Sequence, residues 1–164
     1  MEINPAPTHK LVVHGNKDVR LGLEFRLGFI ARNDTCAVHN FIEGVDVSQT
    51  QYDKGIASIG TSEFSIEFYT DKYFPGTCHW HPFVIMLCPS DAQTNSGGCS
   101  GFASIDPDAT NREAYVQIAC RPIGDGKYRR VYCQPTKRLP PPGVPILATS
   151  GANIRVSASY IDDK

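Results

Sequence analysis

Apolar and polar residues alternate with a period of two along most of this chain. Between Val19 and Phe29, the apolar Val19, Leu21, Leu23, Phe25, Leu27 and Phe29 are interleaved with Arg20, Gly22, Glu24, Arg26 and Gly28. Successive strand side chains point to opposite faces, so this spacing predicts a strand with one buried face. A helix would scatter the same residues around its circumference. Similar alternation marks Phe64–Phe68, Ala114–Cys120 and Ile154–Tyr160, and shorter apolar runs occupy Lys10–His14 and Cys36–Ile42. Phe83–Leu87 is continuously apolar, as for a strand covered on both faces. Tyr128–Cys133 follows Gly124-Asp125-Gly126, an Asp-Gly turn that predicts a hairpin with the preceding strand. No window carries capped helical periodicity.

About eight or nine such strands, separated by turn residues, predict an all-β fold. The arrangement expected is a two-sheet antiparallel β-sandwich, one domain over residues 1–164 with residues 1–9 as a flexible N-terminal segment. A closed barrel is the next-best layout. The polar loop Pro89–Gly98 and the proline run Leu139–Pro145 interrupt the pattern. The prolines lack backbone donors, so that run is expected to be an extended connector between sheets or along an edge, and otherwise a docking segment.

Six cysteines in 164 residues change the picture from a generic β-protein to a stapled one. An even count on an all-β frame points to an oxidising compartment, periplasmic or extracellular. Cys36, Cys78, Cys88, Cys99, Cys120 and Cys133 allow fifteen pairings. Cys120 and Cys133 flank the Asp125-Gly126 hairpin and, given one bulge, face each other. Cys88 and Cys99 bracket a Ser/Asn/Gly-rich loop, which leaves Cys36 with Cys78. The first ten residues hold neither an apolar core nor a basic lead typical of an export signal. The expectation is therefore a mature sequence whose signal was removed and whose Met1 was supplied as a start.

The formal net charge of −1 argues against bulk capture of nucleic acid or anionic membrane. No stretch approaches the roughly 18–20 consecutive apolar residues of a membrane span. One local excess of positive charge remains. Arg121, Lys127, Arg129, Arg130, Lys137 and Arg138 oppose Asp125 alone, with Tyr128 and Tyr132 among them. Arg and Tyr combine large contact area with directional hydrogen bonds, so this stretch is a candidate surface for an acidic protein partner. An ordinary charged hairpin edge explains it equally well.

Catalytic chemistry finds little support. No Gly-x-Ser-x-Gly is present, and disulfide-bonded cysteines are not nucleophiles. Asp106-Pro107-Asp108 lacks the spaced carboxylates of a calcium loop. Asn33-Asp34-Thr35 matches a glycosylation triplet, a short pattern of little weight. Cys78-His79-Trp80-His81 is the densest reactive cluster. On a strand, His79 and His81 would share one face and, with His39 or His14, offer metal ligands. The plainer reading places Cys78 and Trp80 in the core and the histidines in solvent.

The function expected is therefore a non-catalytic exported binding protein, needing no cofactor, of inhibitor or immunity type. The loops Pro89–Gly98, Gly124–Lys127 and Leu139–Pro145 are the candidates to occlude a partner enzyme. Two alternatives are a lipid or small-ligand carrier with a cavity lined by Phe25, Phe29, Phe64 and Phe68, and a metal protein built on His79 and His81.

Overall fold

Strand-forming alternation dictates the architecture, and the chain folds into two five-stranded sheets packed face to face, with a separate two-stranded hairpin. This computed structural model describes residues 1–94, 98–141, 146–149 and 151–162. In chain order the strands are β1 (Lys10–Lys17), β2 (Gly22–Ala31), β3 (Val38–Asn40), β4 (Val45–Val47), β5 (Thr50–Ala57) and β6 (Glu63–Tyr69). They continue with β7 (Trp80–Ser90), β8 (Ser100–Ile105), β9 (Glu113–Ile123), β10 (Arg130–Leu139), β11 (Ile146–Leu147) and β12 (Ala152–Tyr160). Among the described residues the only helical turns are short 3₁₀ turns at Asp34–Cys36 and Gly126–Tyr128.

The first sheet has the order β10-β9-β12-β1-β6 and the second β11-β8-β7-β2-β5. The sandwich expected from the sequence is present, with ten strands in its two sheets among the described residues and two more in the separate hairpin, and its sheets are mixed, not purely antiparallel. β12 lies between β1 and β9 and runs parallel to both, and β11 is parallel to β8. The remaining pairs are antiparallel.

Inward-facing residues of both sheets make one core. Leu11, Val13, Val116, Ile118, Ile154 and Val156 come from the first sheet; Leu23, Phe25, Leu27, Phe29, Ile85 and Phe102 come from the second. Burying each such side chain contributes about 1.5–3 kcal/mol. Phe25 stacks on Phe64 across the sheets at 5.8 Å and meets Phe102 edge-on at 5.7 Å. The phenylalanines expected to line a ligand cavity thus pack into this core, Phe68 included, although Phe64 is only partly buried.

The boundaries correct the sequence reading in two places. β1 continues through Gly15-Asn16 to Lys17, and the reversal falls at Asp18–Leu21. Val19 and Arg20 therefore belong to the turn, where the Asp18 carboxylate accepts from the Arg20 amide and guanidinium at 2.9 Å. Leu21 remains in the core while Val19 is exposed. Residues 1–9, read above as a flexible segment, lie against residues 69–74: Asn4 donates its amide to the Lys72 carbonyl at 2.8 Å, and Thr8 and His9 donate theirs to the Asp71 carboxylate at 2.9 Å. β10 and β11, which flank the proline run, lie in different sheets. Residues 142–145 of that run are outside the described residues.

Strand directions place the loops. β1 and β2 are linked by a short reversal, so β2 ends where β1 begins. β9 is parallel to β12 and β12 to β1, so the β9–β10 loop lies at the opposite end from the β3–β4 hairpin that follows β2.

Candidate partner-binding surfaces

The three disulfides are Cys36–Cys78, Cys88–Cys99 and Cys120–Cys133, and no described cysteine is free. Cys120 and Cys133 stand directly opposite in the β9–β10 register. The bulge expected between them falls instead at Pro135–Lys137. Three disulfides in a domain of this size fit an oxidising environment.

The basic stretch divides. Tyr132 pairs with Arg121 across β10 and β9, and both are exposed. Arg130 and Lys137 are exposed on the same strand, β10, which is an edge of its sheet. Lys127 and the largely exposed Tyr128 sit in the loop that joins the two strands, the ammonium 5.0 Å from the ring centroid. Arg138 is half-buried and pairs with Val116 beyond the bulge.

Arg129 does not belong to this surface. Its side chain is 13% exposed and donates to Asp91 Oδ2 at 2.8 Å, while the Asp91 side chain is 6% exposed. Tyr160 donates to the same oxygen, and Thr94 and the Gln93 amide donate to Oδ1. Burial alone would raise the Asp91 pKa, but these donors outweigh it and hold the carboxyl at about 2. Burial and the neighbouring Asp91 push the Tyr160 hydroxyl up to about 12. The cluster joins β7 of one sheet to β12 and the β9–β10 loop of the other, so Arg129 holds the sheets together. Of the other expected loops, Asp91 and Thr94 bridge within Pro89–Gly98, and residues 95–97 lie outside the described residues.

The histidine cluster does not form a shared strand face. β7 begins at Trp80, and His79 sits in the preceding turn with φ of +52°. Trp80 is buried and Cys78 packs against the core, as the plainer reading held; of the histidines, His79 is exposed but His81 is half-buried. The His81 ring faces the His79 carbonyl, Nδ1 to O being 3.0 Å. His39 lies on the separate hairpin, its Nδ1 2.9 Å from Asp46 Oδ1. Among the described residues, no three His, Cys, Asp or Glu side chains gather as a metal set. Asn33 of the glycosylation triplet donates its side-chain nitrogen to the Thr77 carbonyl at 2.7 Å.

The most exposed apolar feature was hidden in a segment read as an ordinary strand. Cys36–Ile42 contributes only β3, and the chain then turns at Phe41-Ile42-Glu43-Gly44 into β4. Gly44, with φ of +67°, provides the left-handed position this turn needs. Phe41 is 89% exposed and Ile42 96%. His39 meets Phe41 edge-on at 4.8 Å, and Asn40 Oδ1 accepts from the Ile42 amide at 3.0 Å. The Cys36–Cys78 bond fixes the root of this finger to the turn before β7. The sequence signal was available: two short valine-bearing triplets, Val38-His39-Asn40 and Val45-Asp46-Val47, around a glycine-containing turn.

Among the described residues no helix is long and apolar enough to cross a membrane. Comparison with known proteins finds no family model, curated protein or solved structure that matches this chain.

Proposed function

We propose that this is an exported, non-catalytic binding protein of inhibitor type, which inserts the β3–β4 finger into an apolar cleft of a partner enzyme. The carrying observation is the near-complete exposure of Phe41 and Ile42 on a hairpin rooted by a disulfide. Large apolar side chains at a protruding tip are the anchors that dominate interface energies. A cross-link at the root reduces the ordering cost of binding, which favours tight occlusion of a cleft. Glu43 and Asp46 flank the tip. Their charge opposes insertion among anionic lipid headgroups and suits a protein cleft with cationic groups at its rim.

The test is site-specific photo-cross-linking from position 41 in the exported protein fraction, followed by assay of the captured enzyme. Wild-type protein is expected to inhibit that enzyme. The double variant F41D/I42D is expected to keep its melting temperature and lose affinity about thirtyfold, the scale of a 2 kcal/mol anchor. Unchanged inhibition by the variant overturns the proposal. So does a finger that cross-links only into vesicles of phosphatidylcholine and phosphatidylglycerol.

A further inference from the structure

The outer face of the first sheet carries an open groove, separate from the finger. Register alone brings together residues that are far apart in sequence. Tyr115 of β9 pairs with Arg155 of β12, and Arg155 pairs with His14 of β1. Two residues along the strands, on the same face, Glu113 pairs with Asn153. These five side chains form the floor of an open groove of about 590 Å³, and Leu139 and Pro140 at the end of β10 form an apolar wall.

The groove is organised from within. The Arg155 guanidinium lies over the Tyr115 ring, 4.6 Å from its centroid, a contact that orients the planar fork while leaving its N–H edges available. His14 Nε2 lies 3.4 Å from Asn153 Oδ1. Among the described residues neither Arg155 nor Glu113 forms an ion pair. Next to His14, Gly15 has φ of +149°, and a Cβ there would fall 1.8 Å from the Val156 carbonyl oxygen, so β1 and β12 leave no room for a side chain at this position.

We propose that this groove binds a neutral oligosaccharide. Formal charges cancel: Arg155 repels a cation and Glu113 repels an anion. What remains is a dense set of planar donors and acceptors beside an apolar wall. Arg155 supplies only donors and Glu113 only acceptors, while Asn153 and His14 supply both. A sugar hydroxyl both donates and accepts, and its ring C–H faces suit the apolar wall of Leu139 and Pro140. An open cleft crossing several strands admits an extended chain, whereas a free amino acid or other small zwitterion is ordinarily enclosed.

The test is amide chemical-shift mapping of the intact, oxidised protein with cellohexaose, maltohexaose, chitohexaose and mannohexaose, each at about 10 mM to capture weak sites. At least one is expected to shift residues 113–115, 139 and 153–155, and R155A is expected to weaken it about tenfold, the loss of one strong hydrogen-bonding group. Because Arg155 is exposed, R155A keeps its melting temperature. F41D/I42D keeps sugar binding, which separates this site from the finger. The inference is overturned if no sugar shifts these residues, if R155A binds unchanged, or if only oligogalacturonate or glycylglycine does so.

Discussion

The Tyr160 hydroxyl and the Arg129 guanidinium converge on a single oxygen, Asp91 Oδ2, at 2.6 and 2.8 Å. Tyr160 ends β12, Arg129 precedes β10, and Asp91 follows β7, so this oxygen joins the two sheets at one end of the sandwich. Asp91→Ala removes the acceptor shared by Tyr160, Arg129, Thr94 and the Gln93 amide. The expected loss is about 2–4 kcal/mol, read as a fall in the urea midpoint with unchanged m-value.

The same cluster sets the pH dependence. Asp91 is held at about 2 in the folded state, below the ordinary carboxylate value near 3.9, so its stabilisation is full above about pH 4 and lost as pH falls toward 2. Tyr160 is raised to about 12, above the ordinary value near 10, so its contribution is full below about pH 10 and lost as pH rises toward 12. Urea midpoints should form a plateau between these limits. Asp18, also held at about 2 by Arg20, shares the acid limb, so D91N should shrink that limb without abolishing it.

Arg129 and Arg130 are neighbours with opposite expected phenotypes. Arg130→Glu changes an exposed edge and should move the melting temperature by less than about 2 °C. Arg129→Glu places two carboxylates against each other in a nearly buried site and should prevent cooperative unfolding at the wild-type temperature. Differential scanning calorimetry of both variants checks the contrast; equal melting temperatures would remove Arg129 from the structural cluster.

Gly15→Ala tests the close approach of β1 and β12. The backbone there lies at φ of +149°, and an added Cβ would press on the Val156 carbonyl. The expected cost is at least about 2 kcal/mol, or about 4–8 °C in melting temperature.

The disulfides should rank by the loops they close. Cys36–Cys78 spans 42 residues, against 11 for Cys88–Cys99 and 13 for Cys120–Cys133. Chain entropy then assigns about 4 kcal/mol to the first and about 3 to each of the others. Removing Cys36 and Cys78 together should therefore cost most, and should in addition raise hydrogen exchange in residues 38–47 while leaving β9 and β10 protected.

Strand content was legible because one buried face imposes period two. Phe25, Leu27 and Phe29 show it directly, and two cysteine pairs followed from proximity within a hairpin and a loop, leaving Cys36 with Cys78. What escaped reading has physical causes. β5 is an edge strand whose Ile56 is exposed, so no alternating apolar face announced it. Parallel pairing of β1 with β12 depends on partners some 140 positions apart, which local pattern does not encode. The finger escaped because Val38, Phe41 and Ile42 look like core residues unless the turn at Gly44 is given precedence. Arg129 looked like a surface charge because nothing nearby in sequence reveals Asp91.

The position of β12 has a consequence for biogenesis. It fills the gap between β1 and β9, yet it is made after both. Until residues 152–160 emerge, the first sheet consists of two unjoined fragments with bare inner edges, and the core they would share stays open. Such a chain cannot close early during synthesis, and non-local strand pairing of this kind is slow. The topology therefore keeps the first sheet open until β12 is available, and the inter-sheet clasp at Tyr160 can form only then.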